Sequence, residues 1–490
     1  MNFKMIFNTV AKASVALSAL LLCPLIVCLV YQEACAWTFA LTIGIALVIG
    51  VVLMLVGKTK NKAIFSREGF VTVSIVWIYF SLLGALPFVL SGTIPNYIDA
   101  LFETISGFTT TGASILTGEQ IEALPKGMLF WRSFTHWIGG MGILVFVMVF
   151  ASGAQNRSMH ILRAEMPGPT VDKLVPRAKD TAKILYLIYV GMTLLLAILL
   201  LFGGMDLFES LVHAFGTAGT GGFGIKGDSI ASYSPYCQWV IAIFMFLYGI
   251  NFNIYYLLAL RRFKPALKSQ EGWLYIGLTT AIIAVVTVNI FGTFDYTQNF
   301  GDALRVATFQ TIATITTTGY SVLPSSTNLN LWPELSKWLL LLLMFVGGCA
   351  GSTAGGFKVS RVAMLGCGVK KEIRRLLHPR NANVVKFEGK VVTNETLQSV
   401  FSYFVAYVFT MICIFVLLCL DPNPQLDFTA NVSSTVSVFN NIGPAYGEAV
   451  GGYFVYSQFS KIVLSIGMLL GRLEIFPLLL LVTPSTWQRQ

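Results

Sequence analysis

Along this chain the polar positions are gathered into short strips, and long apolar runs lie between them. An apolar run of about 20 residues matches a hydrocarbon core about 30 Å thick. The pattern predicts membrane-crossing helices at 13–31, 37–56, 70–91, 128–151, 183–203, 236–260, 273–292, 336–366, 398–420 and 455–483. An even number of crossings leaves both termini on one side. Four connections break the simple rhythm: 91–128, 204–235, 293–335 and 421–454. Each is too apolar for a plain loop and too short for a further crossing. Each begins with an amphipathic stretch of about a dozen residues, as a short helix would. Thr or Asn follows, then Gly, then an extended polar piece.

Aligned on that glycine, the four read ISGFTTTGAS (105–114), GTAGTGGFG (216–224), TITTTGYSV (314–322) and VFNNIGPAYG (438–447). The equivalent glycines are Gly112, Gly221, Gly319 and Gly443. Asp99, Asp206, Asp302 and Asp427 stand near the starts of the preceding stretches, where an acid favours a helix N-terminus. The plan is therefore helix, short re-entrant helix, glycine turn, helix, written four times. Non-helical backbone at membrane depth is tolerated only where protein buries it or water lines it. Four such turns imply one shared cavity, with fourfold pseudo-symmetry around a pore. The expected fold is an all-α polytopic membrane protein with four pseudo-symmetric helix–pore loop–helix repeats. The first two spans lack the pattern and stand outside it. The units are a two-helix region at 1–69 and repeats at 70–151, 152–260, 261–366 and 367–490.

Composition agrees: of 490 residues, 55% are hydrophobic and 11% charged, against about 25% charged in soluble domains. The net charge is +10, but its sidedness matters more than its sum. Of the 33 Lys and Arg, all but Lys126, Arg132, Lys226, Arg305, Lys337, Lys461 and Arg472 fall in strips on one face of the span pattern. The positive-inside rule makes that face cytoplasmic, so both termini are placed inside. Acids such as Glu119, Glu122, Asp228 and Glu448 fall on the other face. They either concentrate cations at an outer mouth or are simply tolerated there. Basic strips between apolar runs are not a nucleic-acid footprint. The eight cysteines (Cys23, Cys28, Cys35, Cys237, Cys349, Cys367, Cys413 and Cys419) form no CxxC and read as small hydrophobes, not as a disulfide frame or metal site. Lys4 and Lys12 precede an apolar run too long for a signal-peptide core, and no small residue precedes Cys23, so an uncleaved first helix is expected.

A bare ion in a low-dielectric medium costs tens of kcal/mol. A ring of carbonyl oxygens can replace its hydration shell. Glycine suits such a turn because it reaches positive φ without a Cβ clash. Short helices aiming their C-termini at the axis add about half a negative charge each, which favours a cation. Threonine hydroxyls before the glycine can brace the backbone or coordinate. Any one of these glycines could be an ordinary turn or packing residue; four at matched positions point to a pore.

The motifs FTTTGAS, WRSFTHWIGGMGI (131–143), TTTGYSV, GGCAGSTAGGFKVSR (347–361), NNIGPAYG (440–447) and GMLLGRLEIFPLLL (467–480) carry a resemblance. The chain resembles the Trk/Ktr/HKT superfamily of potassium transporters, in its bacterial TrkH type with two extra N-terminal helices, over nearly its whole length. The resemblance implies a filter with one glycine per repeat, whose backbone carbonyls at Gly112, Gly221, Gly319 and Gly443 hold K⁺. The neighbouring filter positions are Thr110, Thr111, Thr220, Thr317, Thr318, Asn441 and Ile442. Plant relatives with serine at the first position favour sodium, so glycine here implies potassium. The second repeat departs most from the pattern: Gly219-Thr220-Gly221-Gly222 lacks the threonine run, which leaves its register the least fixed.

Gly347, Gly348, Gly351, Gly355 and Gly356 interrupt the span 336–366. Each costs about 1 kcal/mol of helix propensity against alanine, so the span should unwind there. Close helix packing is the other use of such residues. A phosphate loop is excluded by the missing GK[ST] ending and the missing strand. The resemblance implies a gate beneath the filter, including Ser352, Thr353 and Lys358. Arg472 lies inside the last apolar run, where an unpartnered cation costs about 2.5–3.5 kcal/mol, so it should face a cavity or a partner. It is expected to point into the pore; a structural ion pair is the alternative. Glu474, two residues on, lies on another helix face.

The basic strip 358–395, with KKEIRR at 370–375, fits topology and anionic-lipid contact. The resemblance adds docking of a cytoplasmic TrkA-type nucleotide-binding ring, and a homodimer. The expected function is potassium uptake across the bacterial cytoplasmic membrane, with no organic cofactor in this chain. The alternative is a symporter coupling K⁺ entry to H⁺ or Na⁺, which would want more ionisable groups at the midplane. No paired acids or nucleophile–base dyad at membrane depth suggests an enzyme.

Overall fold

The computed structural model describes residues 1–58, 66–143, 178–324, 326–378 and 385–488. Much of the predicted basic strips at 57–68 and 152–183, and the inner end of the span 128–151, lie outside the described residues. Among the described residues the regular structure is helical apart from one small hairpin, Lys386–Phe387 antiparallel to Lys390–Val391.

Phe3–Val30 and Ala36–Val56 pair with each other, and the first also packs on Ser66–Gly84 and Lys126–Gly140. Among the described residues six helices are long and apolar enough to cross a membrane, and up to eight if two bent pairs are counted as single spans. The protein is a multi-pass membrane chain. Three predicted spans are not straight. The run 236–260 breaks into Pro235–Tyr248 and Phe252–Ala259, bent by 91°. The carbonyl of Gly249 at that bend accepts the N–H of Cys349 at 2.9 Å, which satisfies a group the bend frees. The run 336–366 stops helically at Glu334–Leu343 and resumes at Val359–Leu377, with the five glycines in the gap. The run 455–483 splits into Gln458–Arg472 and Phe476–Val482 at 120°. Glu474 (φ 58°) and Ile475 (φ 64°) form that corner, and Pro477 starts the second piece.

The four irregular connections each contain a short helix: Tyr97–Phe108, Leu207–Gly219, Phe300–Ile315 and Phe428–Phe439. A 12-residue helix rises about 18 Å, so it ends partway through a bilayer. Asp206 and Asp427 are N-caps, accepting from Glu209 N and Ala430 N, both at 2.6 Å. Asp99 and Asp302 instead sit in the first turn, behind the N-caps Asn96 and Asn299. These helices are buried toward their C-terminal ends, and those ends converge.

Candidate functional site

Each short helix terminates in a non-glycine residue of left-handed conformation: Thr110 (φ 56°), Thr220 (55°), Thr317 (55°) and Asn441 (56°). Such backbone costs about 1–3 kcal/mol per residue and persists only where the surroundings impose it. Two residues further on stands a glycine, also at positive φ: Gly112 (75°), Gly222 (82°), Gly319 (75°) and Gly443 (104°). The four segments interlock. A Cβ on Gly112 would collide with the carbonyl oxygen of Gly221, one on Gly222 with that of Thr318, and one on Gly319 with that of Ile442. A Cβ on Gly443 would lie 2.6 Å from the carbonyl oxygen of Thr111. Each repeat rests on the next, and the fourth rests on the first. The contacts form a closed ring of four.

This register corrects the alignment in the second repeat. Gly222, not Gly221, matches Gly112, Gly319 and Gly443. Gly221 takes the place of Thr111, Thr318 and Ile442. It is glycine for a local reason: the imidazole of His136 fills the space its Cβ would need. The sequence offered Thr220-Gly221-Gly222, and spacing alone could not choose between two adjacent glycines.

The hydroxyls split into kinds. Thr111 and Thr318 are pinned sideways, to Thr109 at 2.8 Å and Thr316 at 2.9 Å. Thr111 Oγ1 also accepts from Asn441 Nδ2 at 2.9 Å, which ties the fourth repeat to the first. Thr220 Oγ1 donates to its neighbour's carbonyl, Gly219 O, at 2.6 Å. Thr317 Oγ1 accepts from Gly355 N at 2.6 Å. Thr110 Oγ1 is buried without a hydrogen-bond partner among the described residues. Tyr320, whose spelling evokes a potassium filter, is buried behind the strand and donates to Phe223 O at 3.3 Å.

Behind the ring lie groups that sequence reasoning passed over. Glu103 and Arg132 form a fully buried ion pair at 2.7 Å. Glu103 also accepts from Ser114 Oγ at 3.0 Å and Ile115 N at 3.1 Å. Arg132 donates to Gly224 O at 3.2 Å, and its guanidinium lies 4.1 Å from the Phe223 ring centroid. His136 accepts from Phe223 N through Nε2 at 3.3 Å, so its Nδ1 carries the proton and donates to Gly107 O at 2.8 Å. These three side chains fasten the first and second strands of the ring to each other. The available signal was positional. Seven residues before the left-handed residue each repeat has a buried polar side chain, Glu103, His213, Gln310 and Ser434; Glu103 and Gln310 reach their own strands at Ser114 and Ser321, whereas His213 meets Tyr233 and Ser434 meets Tyr456.

Beneath the ring runs the glycine-rich loop. Gly347 N donates to Phe357 O at 3.0 Å, closing its base. Gly351 (φ 72°) and Gly356 (φ 70°) supply the turns. Besides the Gly355–Thr317 bond, the loop is held by Thr353 Oγ1 donating to Tyr248 O at 3.3 Å and Phe252 N donating to Gly351 O at 3.1 Å. Ser352 closes a turn on Cys349 O at 2.7 Å, and Gly348 packs on Gly249 and Ala354. Lys358, buried, donates to Ala354 O and to Gly355 O. Arg472 ends its helix here and donates to Thr353 O at 3.1 Å, to Gly140 O at 2.9 Å and to Gly139 O. Glu474 is taken by Arg361 in a bidentate pair at 2.7 and 2.8 Å. Lys358, Arg472 and the loop line a cavity of about 40 Å³ directly under the ring. On the other side of the ring, a basin of about 1100 Å³ is lined by Glu119, Glu122, Asp228 and a single cation, Lys226.

The chain is similar to known proteins over its whole length. The TrkH family model, described as a cation transport protein, matches residues 37–274 and 267–489. The Trk system potassium uptake protein TrkH of Escherichia coli (strain K12) is 35% identical over 496 residues, covering all of both chains. The protein of that name from Halomonas elongata is 32% identical, again over both full lengths. The crystal structure of the potassium transporter TrkH from Vibrio parahaemolyticus superposes with a TM-score of 0.88 at 30% identity, covering all of both chains. The chain belongs to the TrkH family of cation transport proteins.

Proposed function

We propose that this protein takes up potassium across the cytoplasmic membrane through a channel-like pore whose filter is the ring of Gly112, Gly222, Gly319 and Gly443. The closed cycle of glycine-on-carbonyl contacts carries the reading. It puts strained backbone of four repeats at one axis, where carbonyls can replace water around a dehydrated cation. Four helix C-termini converging there contribute roughly two negative charges, and the acidic basin adds to the local cation concentration. The membrane potential supplies about 2.3 kcal/mol per charge per 100 mV, which draws a cation inward without coupling.

The loop from Gly347 to Lys358 is the gate, and Arg472 and Lys358 oppose cation passage beneath the filter. Residues 1–69 flank the pore, and the repeats divide at 70–151, 152–260, 261–366 and 367–490. Both termini face the cytoplasm. The basic helix Val359–Leu377 leads directly out of the loop, so a cytoplasmic nucleotide-binding ring of the TrkA type pulling on it would work the gate; the transporter acts as a homodimer. The test is ⁸⁶Rb⁺ flux into proteoliposomes with K⁺, Na⁺ or Li⁺ as competitor. K⁺ should compete best, and Arg472→Ala should raise flux. Equal competition by Na⁺ removes the selectivity claim, and flux that follows a proton or sodium gradient at clamped voltage replaces the pore with symport.

A further inference from the structure

The turn between the first two helices gathers groups that neither the ring nor the loop uses. Cys28, near the end of Phe3–Val30, and Cys35, just before Ala36–Val56, have sulfurs 3.4 Å apart. Both residues are buried, at 0% and 7% exposure. Between them Glu33 turns its carboxylate onto another unit. Its oxygens accept from Lys126 N at 2.5 Å and Gly127 N at 2.9 Å. These are orphan donors at the start of Lys126–Gly140, whose N-cap, Pro125, has no side-chain bond to offer. Gly127 is close-packed for the same reason: a Cβ there would strike Cys28 Sγ. The capped helix carries Arg132, His136 and the Gly139–Gly140 carbonyls that hold Arg472.

The turn lies at the end of the molecule where the acidic basin opens, because Glu33 reaches the segment that follows Glu119 and Glu122. That end is opposite the basic strips, which makes it the outer face on the sidedness proposed above. We propose that Cys28 and Cys35 are joined by a disulfide in the cell, closing the turn that holds Glu33 against the first repeat. The sulfurs already touch, so bonding needs a shift of about 1.4 Å and no unfolding. The step is thiol–disulfide exchange with an oxidant that is itself a disulfide. One Cys thiolate attacks the oxidant disulfide and releases a thiol. The second thiolate then attacks the mixed disulfide and releases the other thiol, with both Cys protons passing to the two leaving thiolates. The compartment outside the cytoplasmic membrane maintains such oxidants. The two thiols and Glu33 also lie within 4.8 Å of one another as a set of possible metal donors. Glu33 already serves as the helix cap, and touching thiols in an oxidising compartment favour the covalent outcome.

The experiment uses the full chain in cells, quenched with acid, denatured and alkylated with a maleimide before or after reduction. Two fewer labels should attach before reduction than after. The unreduced peptide 13–58, which contains Cys23, Cys28 and Cys35, should be lighter by two hydrogens. Cys28→Ser should return Cys35 to the labelled state, and Cys23→Ser should leave that peptide unlabelled until it is reduced. Equal labelling before and after reduction overturns the disulfide, including the case in which the thiols hold a metal. A green fluorescent protein fused to the C-terminus reads sidedness separately, since it fluoresces only if it folds inside. Bright fusions with equal labelling overturn the disulfide and leave the sidedness intact; dark fusions with equal labelling overturn both.

Discussion

The first and third strands of the ring share one backbone and differ in what stands behind and below it. Thr110 and Thr317 have nearly the same φ, and Gly112 and Gly319 both have φ 75°. The hydroxyl pairs Thr109–Thr111 and Thr316–Thr318 differ by 0.1 Å. Four residues beyond the left-handed position each strand has a serine. Ser114 donates to Glu103, which is locked to Arg132. Ser321 accepts from the neutral Gln310 at 2.9 Å. Below the ring the asymmetry reverses: Thr317 holds the loop through Gly355, whereas the Thr110 hydroxyl has no protein partner among the described residues. Ring closure fixes the φ values of every quarter. Bracing is satisfied by whatever each quarter's neighbours provide. One strand is anchored by charge, and another is tied to the glycine-rich loop.

Breaking the charged anchor should have the largest effect. Glu103→Gln or Arg132→Gln leaves one buried charge unpaired, a loss of about 3–5 kcal/mol. Gln310→Ala removes one neutral bond, worth about 1 kcal/mol. Thermal unfolding in detergent should therefore rank both charge variants far below Gln310→Ala. The pair Glu103→Gln with Arg132→Met should recover part of the loss. Equal losses at 103 and 310 would mean the ion pair is not an anchor.

The register of the second strand comes next. Gly222→Ala places a Cβ against Thr318 O and should impair Rb⁺ flux as Gly112→Ala and Gly319→Ala do. The strain of a left-handed alanine adds about 1–2 kcal/mol. Gly221→Ala meets the His136 ring first, so His136→Ala should rescue it and should not rescue Gly222→Ala. Rescue of the wrong glycine would restore the register read from the sequence.

A smaller effect separates Thr317 from Thr110. Thr317→Val deletes the acceptor for Gly355 N, weakening the loop's seat by about 1 kcal/mol and raising the open population about fivefold. Thr110→Val should leave gating unchanged. Single-channel open probability decides it, and equal effects would detach the loop from the third strand. The smallest effect lies in the basin. Glu119→Gln with Asp228→Asn should lower K⁺ flux at low ionic strength only, because salt near 1 M shrinks the screening length to about 3 Å. A deficit that persists in high salt would mean these acids act structurally.

Much of the fold was legible because lipid punishes exposed backbone. Apolar run length marked the membrane-crossing character, with three of the ten predicted runs broken in the structure, and each of the four irregular connections contains a short helix. The five glycines at 347–356 fall in the gap between Glu334–Leu343 and Val359–Leu377, and Arg472 hydrogen-bonds backbone carbonyls. Other features had no local signal. Nothing near Arg132 in the sequence points to Glu103, 29 residues away. The right-angle bend at Gly249 depends on Cys349, 100 residues on, to receive the freed carbonyl. The corner at Glu474 and Ile475 has no glycine at all, and it is supported by the Arg361 pair.

The sequence by itself determined that the chain crosses a membrane repeatedly and that four connections are interrupted at a glycine. Hydrophobic length and glycine placement are local properties, and each acts through the residue's own solvation or φ. Only the tertiary structure decided which glycine of the second repeat closes the ring, which threonine holds the loop, and that Arg472 spans from the loop to the first repeat. Those are choices among partners far apart in the chain. They depend on which carbonyl or ring occupies a given few ångströms, and packing settles that only after the helices have assembled.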